Sequence, residues 1–546
     1  PGSLQRRQLT HGSESVSRFA WRPDGKAIAF RRADPSRQLH GAAAFRDGLH
    51  VGDNAYLDEK LPVHAHLWLA TLSGTERRLG GEQHVMDSPL SWSPDGRSII
   101  FETGPPVYGL SDRAYPVRLD ISDANTAAAA GRITPATAFG SEADVAEYSP
   151  DGTKVAYLRP QNGDLVNQWD AWVASRADRR DRDVTLPIDR YVTTSTWMPD
   201  GISLLVQVDD RAEQPLIVQK LDGTIHRLPL GPVVAAVIQP TGSVAKDGTV
   251  VFIGDQRNWP DELYLLRPHE TAPLQLTSFN AGIASLRLGK VERVSWRSSD
   301  GMSADGVLTF PVGYRPGHKY PLVVRIHGGP NESSTVAFYD FPQLAAGRGY
   351  VVLQPNYRGS TDLGARWVRA ILDDPNDGPS RDIMEGIATL EKRGIVDPRH
   401  IGISGWSYGG MLTYWLETHH DFAAAVSGAG VADLVADYAI ADDIDWAHIM
   451  FRHSTTPFRG NSISLWREQS AVTFAGRVRT PTLILCNIYD VRVPVVESYE
   501  MFHALRDNNV PVEFYAYPTT GHEPAGPVRW SDAYGHWLDW FDRYLK

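Results

Sequence analysis

Four times in its first 206 residues the chain repeats one short theme: an aromatic residue, a Pro-Asp-Gly turn, then an alternating strand. The copies are WRPDGKAIAF (21–30), SWSPDGRSIIF (91–101), YSPDGTKVAY (148–157) and WMPDGISLLV (197–206), with a weaker KDGTVVFI at 246–253. Proline presets φ, aspartate caps the turn and glycine accepts positive φ, so each copy predicts a hairpin. A single β-unit cannot bury both its faces, whereas a ring of units can. Repeats of roughly 40–55 residues therefore point to a β-propeller. Residues 1–285 have room for six to eight blades, and seven is the expected number. A pair of flat sandwiches is the competing arrangement. The Trp and Asp residues of the repeats read as builders of blades, with no chemistry of their own.

The rhythm changes near residues 285–300. Beyond that point apolar strands (PLVVRIHGG, YVVLQPNYRG, HIGISGWS, PTLILCNIYD, VEFYAYPTTGH) alternate with amphipathic helices such as SRDIMEGIATLEKRG and VVESYEMFHALRDNNV. Strand–helix alternation of this kind builds a mostly parallel sheet with helices on both faces. Residues 286–546 are thus expected to form an α/β-hydrolase domain, after a propeller over 1–285.

Within that second half, IGISGWSYGGM (401–411) raises Ser407 above the other serines. With 48 glycines in 546 residues, G-x-S-x-G alone is a weak signal. Its context is stronger, because a short strand precedes Ser407 and a helix follows it, which is the setting of a nucleophile elbow. A serine hydroxyl also needs a base and an acid that orients the base. In the required order, Asp490 follows the PTLILC strand and His522 follows the VEFYAY strand, at ends where active groups of such sheets gather. Asp437 or Asp442 could replace the acid, and His503 or His536 the base, but neither substitute has both strand-end position and chain order.

An oxyanion needs backbone donors. The N–H of Tyr408, next to the nucleophile, is one candidate, and the glycine pair of RIHGGP (325–330) supplies the other, with Gly329 favoured. His327 beside it reads as a scaffold or substrate contact. The formal charge of −11 argues against a general nucleic-acid binder. No apolar run approaches the length of a membrane span, and no ligand spacing suggests a metal or other cofactor. The one cysteine, Cys486, sits in a strand and reads as a structural thiol. PGSLQRRQLTHG has no apolar leader core. A cytoplasmic location is expected, or a periplasmic one if a leader was removed, and there is room for a homo-oligomer.

Six blocks in order, HGGP (327–330), NYRGS (356–360), GWSYGG (405–410), TPTLIL (480–485), DVRVP (490–494) and YPTTGH (517–522), resemble the prolyl oligopeptidase family of serine peptidases. The resemblance implies a propeller that covers an α/β-hydrolase domain, with Ser407, Asp490 and His522 as triad and Tyr408 and Gly329 as oxyanion donors. It places Arg492 where members often contact a substrate carbonyl. Two features set the chain apart from the dipeptidyl-peptidase IV branch. It contains no Glu-Glu dipeptide, and residues 426–446 lack that branch's tyrosine cluster. Those residues instead carry Asp433, Asp437, Asp442, Asp443 and Asp445, which would favour a cationic substrate group if they faced the cleft. LDDPNDGPSRDIMEGI reads as a remodelled loop at the domain interface. The expected function is hydrolysis of short or loosely structured peptides through an acyl-enzyme. Isopeptidase, acylaminoacyl-peptidase and dipeptidyl-peptidase activities, an esterase, and a non-catalytic propeller binding protein are the alternatives.

Overall fold

The computed structural model describes residues 7–35, 40–41, 64–104, 114–121, 132–137, 143–164, 166–176, 180–237, 243–257, 259–442 and 456–546. Among the described residues the first half forms five four-stranded antiparallel sheets, each a simple meander. They begin at Val16, Ser91, Asp144, Val192 and Val234. The turn between the first two strands of every sheet is one of the five Asp-Gly turns. Asp24, Asp95, Asp151, Asp200 and Asp247 each accept from the N–H two residues on, at 2.9–3.0 Å. The glycine that follows has φ between 65° and 86° in all five.

The aromatic residue of the repeat does more than pack. Trp92 donates to Ala20 O (3.1 Å), Tyr148 bonds Ser98 Oγ (2.9 Å), and Trp197 donates to Glu147 O (3.1 Å), each reaching the preceding sheet. Trp21 holds the same place in the first sheet and is 50% exposed.

The propeller therefore has five blades, not the expected seven. The turns count the sheets correctly; the estimate from length does not. The described strands are far apart in sequence between Ala33 and Ala65, Thr103 and Tyr115, and Asp120 and Ile133, so chain length overstates the number of sheets.

The second half is built on one eight-stranded sheet. In spatial order its strands are Val291–Arg297, Ser303–Thr309, Val351–Asn356, Tyr320–Ile326, Val396–Trp406, Ala424–Gly428, Thr482–Tyr489 and Val512–Thr520. The first pairings are antiparallel, and from Val351–Asn356 onward all are parallel. The central strands are apolar on both sides, because the helices Asp377–Lys392, Tyr408–His419, Val495–Asp507 and Gly526–Leu545 cover the sheet. Cys486 is a buried thiol in the strand Thr482–Tyr489, and burial pushes its pKa up to about 12.

The segment with LDDPNDGP lies under the nucleophile helix instead of at the domain interface. Pro375 O accepts from the Tyr408 hydroxyl, Asp377 accepts from Trp415 Nε1 at 3.2 Å, and Asp382 pairs with Arg358 at 2.8 Å. The two halves meet elsewhere, through apolar packing of Ala212 and Val234 on Val291, Val307 and Val336. Polar contacts reinforce that seam: Ala212 N–H to Asp362 (3.1 Å), Phe338 N–H to Asp255 (3.1 Å) and Thr361 Oγ1 to Asp209. Among the described residues no helix is long and apolar enough to cross a membrane.

Candidate active site

Ser407 stands between the strand Val396–Trp406 and the helix Tyr408–His419, with φ 59° and ψ −124°. A non-glycine residue at positive φ is strained, and such strain persists only where the surroundings impose it. Here they do. The Ser407 N–H donates to Gly428 O (2.9 Å), its carbonyl accepts from Met411 N (3.0 Å), and strand and helix are pressed together. A Cβ on Gly405 would stand 2.2 Å from Gly409 C, and one on Gly409 2.2 Å from Ile326 O. Only glycine allows that approach, so the two flanking glycines are a packing requirement of the elbow. Tyr408 begins the helix, where a backbone N–H has no partner within the helix. Gly328 and Gly329 lie across from it; a Cβ on Gly328 would be 3.4 Å from Ser407 Cβ, and Gly329 has φ 101°.

Asp490 and His522 come together. His522 Nδ1 is 2.7 Å from Asp490 Oδ2, and the other oxygen accepts from the N–H groups of Arg492 (2.9 Å) and Val493 (3.1 Å). A buried carboxylate that accepts from Nδ1–H sets the tautomer and leaves Nε2 as the basic nitrogen. That Nε2 is buried and has no hydrogen-bond partner. Ser407 and His522 both line a cavity of about 420 Å³, together with Arg325, His327, Gly328, Gly329 and Glu332. The ring is thus anchored through Nδ1 on Asp490, and among the described residues its Nε2 is engaged by no other group.

Two residues that the motifs did not reveal hold the His522 loop. Asn487 Nδ2 donates to both Gly521 O and Glu523 O at 2.8 Å, and Trp406 Nε1 donates to His522 O at 3.1 Å. Both residues sit beside a motif residue, Trp406 before the nucleophile and Asn487 three positions before the acid. Arg325 and Glu332, on either side of the HGGP block, also went unnoticed. Burial, then Glu523, pushes the Glu332 carboxyl up, while Arg325 and His522 draw it down.

His327 stacks on Tyr357 (4.4 Å) and bonds Ser360 Oγ through Nε2 (2.8 Å). Burial lowers its pKa to about 4, so the ring is neutral at neutral pH. Arg492 is engaged by Asp442, Nε to Oδ1 at 2.6 Å. Asp433 caps the helix Leu434–Ile440 by accepting from Val435 N–H (2.8 Å) and also accepts from Ser470 Oγ (3.2 Å). Asp437 is buried. None of Arg492, Asp433, Asp437 and Asp442 lines the Ser407 cavity; Asp443 and Asp445 lie outside the described residues. Among the described residues no group of three His, Cys, Asp or Glu is placed to hold a metal.

A five-bladed propeller joined to an α/β-hydrolase sheet, with a strained serine at its elbow, defines a propeller-capped serine hydrolase. Residues 337–546, most of the hydrolase half, match the model of the prolyl oligopeptidase family. The chain is 27% identical over 482 residues to dipeptidyl-peptidase 5 of Porphyromonas gingivalis, covering 84% of this chain and 67% of the relative. It is 26% identical over 246 residues to the acylamino-acid-releasing enzyme of Mus musculus, covering 44% of this chain and 34% of that protein. Of dipeptidyl-peptidase 5 from Porphyromonas endodontalis it spans 42%. Among solved structures, the Pyrococcus horikoshii acylaminoacyl peptidase superposes with a TM-score of 0.80 at 20% identity, over 100% of this chain and 83% of that one. At that identity the superposition speaks for the fold alone.

Proposed function

We propose that the protein is a serine peptidase of short or loosely structured peptides, with Ser407 as nucleophile, His522 as general base and Asp490 as orienting acid. The observation that carries this reading is the pairing of His522 with buried Asp490 (2.7 Å) on the cavity that Ser407 also lines. Substrate brings the last contact, because catalytic hydrogen bonds often tighten only in the complex. Ser407 Oγ attacks the amide carbonyl while its proton passes to His522 Nε2. The backbone N–H groups of Tyr408 and Gly329 hold the oxyanion. His522 then gives the proton to the amide nitrogen, the C–N bond breaks, and an acyl-enzyme remains. Water adds by the reverse sequence of proton transfers, releases the acid and restores Ser407. The propeller, taken as residues 1–285 with the catalytic domain at 286–546, limits entry to chains thin enough to reach the cavity.

A fluorophosphonate reagent should label Ser407 in the folded protein, and Ser407→Ala should lose both labelling and at least about 10⁴-fold in kcat/KM. Turnover retained in that variant would remove Ser407 from the mechanism. Release of dipeptides is a second reading, favoured by the name of the Porphyromonas gingivalis relative and opposed by the lack of a Glu-Glu pair. Mass spectrometry of products from peptides with free and acylated amino termini separates the two. Dipeptides released only from free termini would replace the first reading by the second.

A further inference from the structure

Arg325 is the penultimate residue of the strand Tyr320–Ile326 and lines the cavity that holds Ser407 and His522. Its guanidinium lies over the rings of Trp537 (4.7 Å) and Phe341 (5.7 Å). One donor is used internally, Nη1 to Ile326 O at 3.0 Å. Among the described residues it forms no ion pair, although Glu332, Glu523 and Asp340 stand near enough to act on it through space. Guanidinium has five N–H donors in a rigid fork, and aromatic faces leave its edge available. An arginine drawn into a cavity wall without a partner carboxylate is costly unless something anionic visits it.

The cavity also tells which part of a substrate lies there. His522 must protonate the departing amine, so the departing group leaves on the His522 side. That ring and its neighbour Glu523 form part of this wall, while Arg492, Asp442 and Asp433 do not. Glu332 and Glu523 are carboxyls suited to a newly formed amine, and Arg325 is a cation suited to a carboxylate. Together they match the two ends of an amino acid.

We propose that Arg325 binds a carboxylate on the departing portion of the substrate, close to the scissile amide. The carboxylate comes either from a C-terminal residue or from an acidic side chain in the first departing residue. This inference rests on the roles assigned above to Ser407 and His522. Three substrates with one blocked acyl dipeptide test it, departing as alanine, as alaninamide and as aspartic acid α-amide. Wild-type kcat/KM should favour at least one carboxylate-bearing group over alaninamide by about tenfold or more, as a charge-assisted fork implies. Preference for alanine identifies the chain terminus; preference for the aspartyl amide identifies the side chain. R325M should bring that ratio to within about twofold of unity, with R325K in between. Equal wild-type rates on all three substrates, or a ratio unchanged in R325M, would overturn the inference. If R325M does not fold, the wild-type ratio and R325K decide. Where turnover is too slow to compare, protection of Ser407 from phosphonate labelling by Ala-Ala, against Ala-Ala amide and Ala-Asp amide, reads the same preference. Failure of the underlying assignment looks different: Ser407 would not be labelled at all.

Discussion

The propeller and the hydrolase sheet are stabilised in different ways. Each propeller cluster joins two adjacent sheets: Leu69 with Phe101, Ile100 with Tyr157, Leu158 with Trp197 and Leu205 with Phe252. The hydrolase half instead has a large cluster of strands and helices from Val294 to Leu545, which Val166 of the propeller joins, and a second cluster around Tyr414, Met501 and Leu505. Repeating units that touch only their neighbours confine damage locally, whereas a large core transmits it. Strain at Ser407 is therefore supported by the half able to resist it, and the propeller is the half able to tolerate change.

The widest test of that contrast pairs Gly409→Ala with Trp197→Ala. The alanine Cβ at 409 would fall 2.2 Å from Ile326 O and 2.8 Å from His327 O, so elbow and HGGP loop must part. Loss of more than about 3 kcal/mol is expected, with hydrolysis of a small ester falling at least about 10³-fold. Trp197→Ala removes a 5%-exposed ring and its bond to Glu147 O, at a comparable cost of about 3–5 kcal/mol. Its ester turnover, measured well below the unfolding transition, should stay within about twofold of wild type. Equal losses of turnover in both variants would show that the halves are not separable.

Much of this was legible in residue order. Five Asp-Gly turns mark five sheets, and Ser407, Asp490 and His522 can be named because strand ends collect active groups. What failed was inference across space. Asp442 precedes Arg492 by 50 residues in sequence, so nothing local foretold that a pair at 2.6 Å engages the arginine expected to hold substrate. Asp433 likewise reads as a cleft charge until its helix cap is seen. Arg325 looks like an ordinary polar interruption of PLVVRIHGG until Trp537, more than two hundred residues later, packs beneath it. Blade number follows the turns and not the length, because the sequence between Ala33 and Ala65 and between Thr103 and Ile133 carries no further Pro-Asp-Gly turn.

Asn487 gives a finer test within the hydrolase half. Its side-chain amide grips both carbonyls flanking His522, so Asn487→Ala should loosen the base without touching the reacting atoms. A fall of about 10–100-fold in kcat with little change in KM is expected, and a loss of about 1–3 kcal/mol in stability from the two bonds. Asn487→Asp keeps the shape but cannot donate, and should not rescue. A rise in KM at constant kcat would instead place Asn487 in substrate binding.

The smallest effect belongs to the seam between the two regions. Asp255, in the propeller, is 2% exposed and accepts from Phe338 N–H of the hydrolase half (3.1 Å). Burial, with a lesser push from Asp261, raises its pKa from the usual 3.8 to about 7. The folded state therefore holds this proton more tightly than the unfolded chain does. Its stabilising effect is full below pH 3.8 and is lost as pH rises through about 7. Asp255→Asn stays neutral and keeps an oxygen for Phe338. The variant should gain more stability at pH 8 than at pH 5, by roughly 1–3 kcal/mol, read from urea unfolding at both values. Asp209, also raised by burial at this seam, keeps its own contribution, so the slope flattens without vanishing. An equal gain at both pH values would mean that the Asp255 carboxyl does not titrate with folding, and that the polar contacts of this seam add no pH dependence through it.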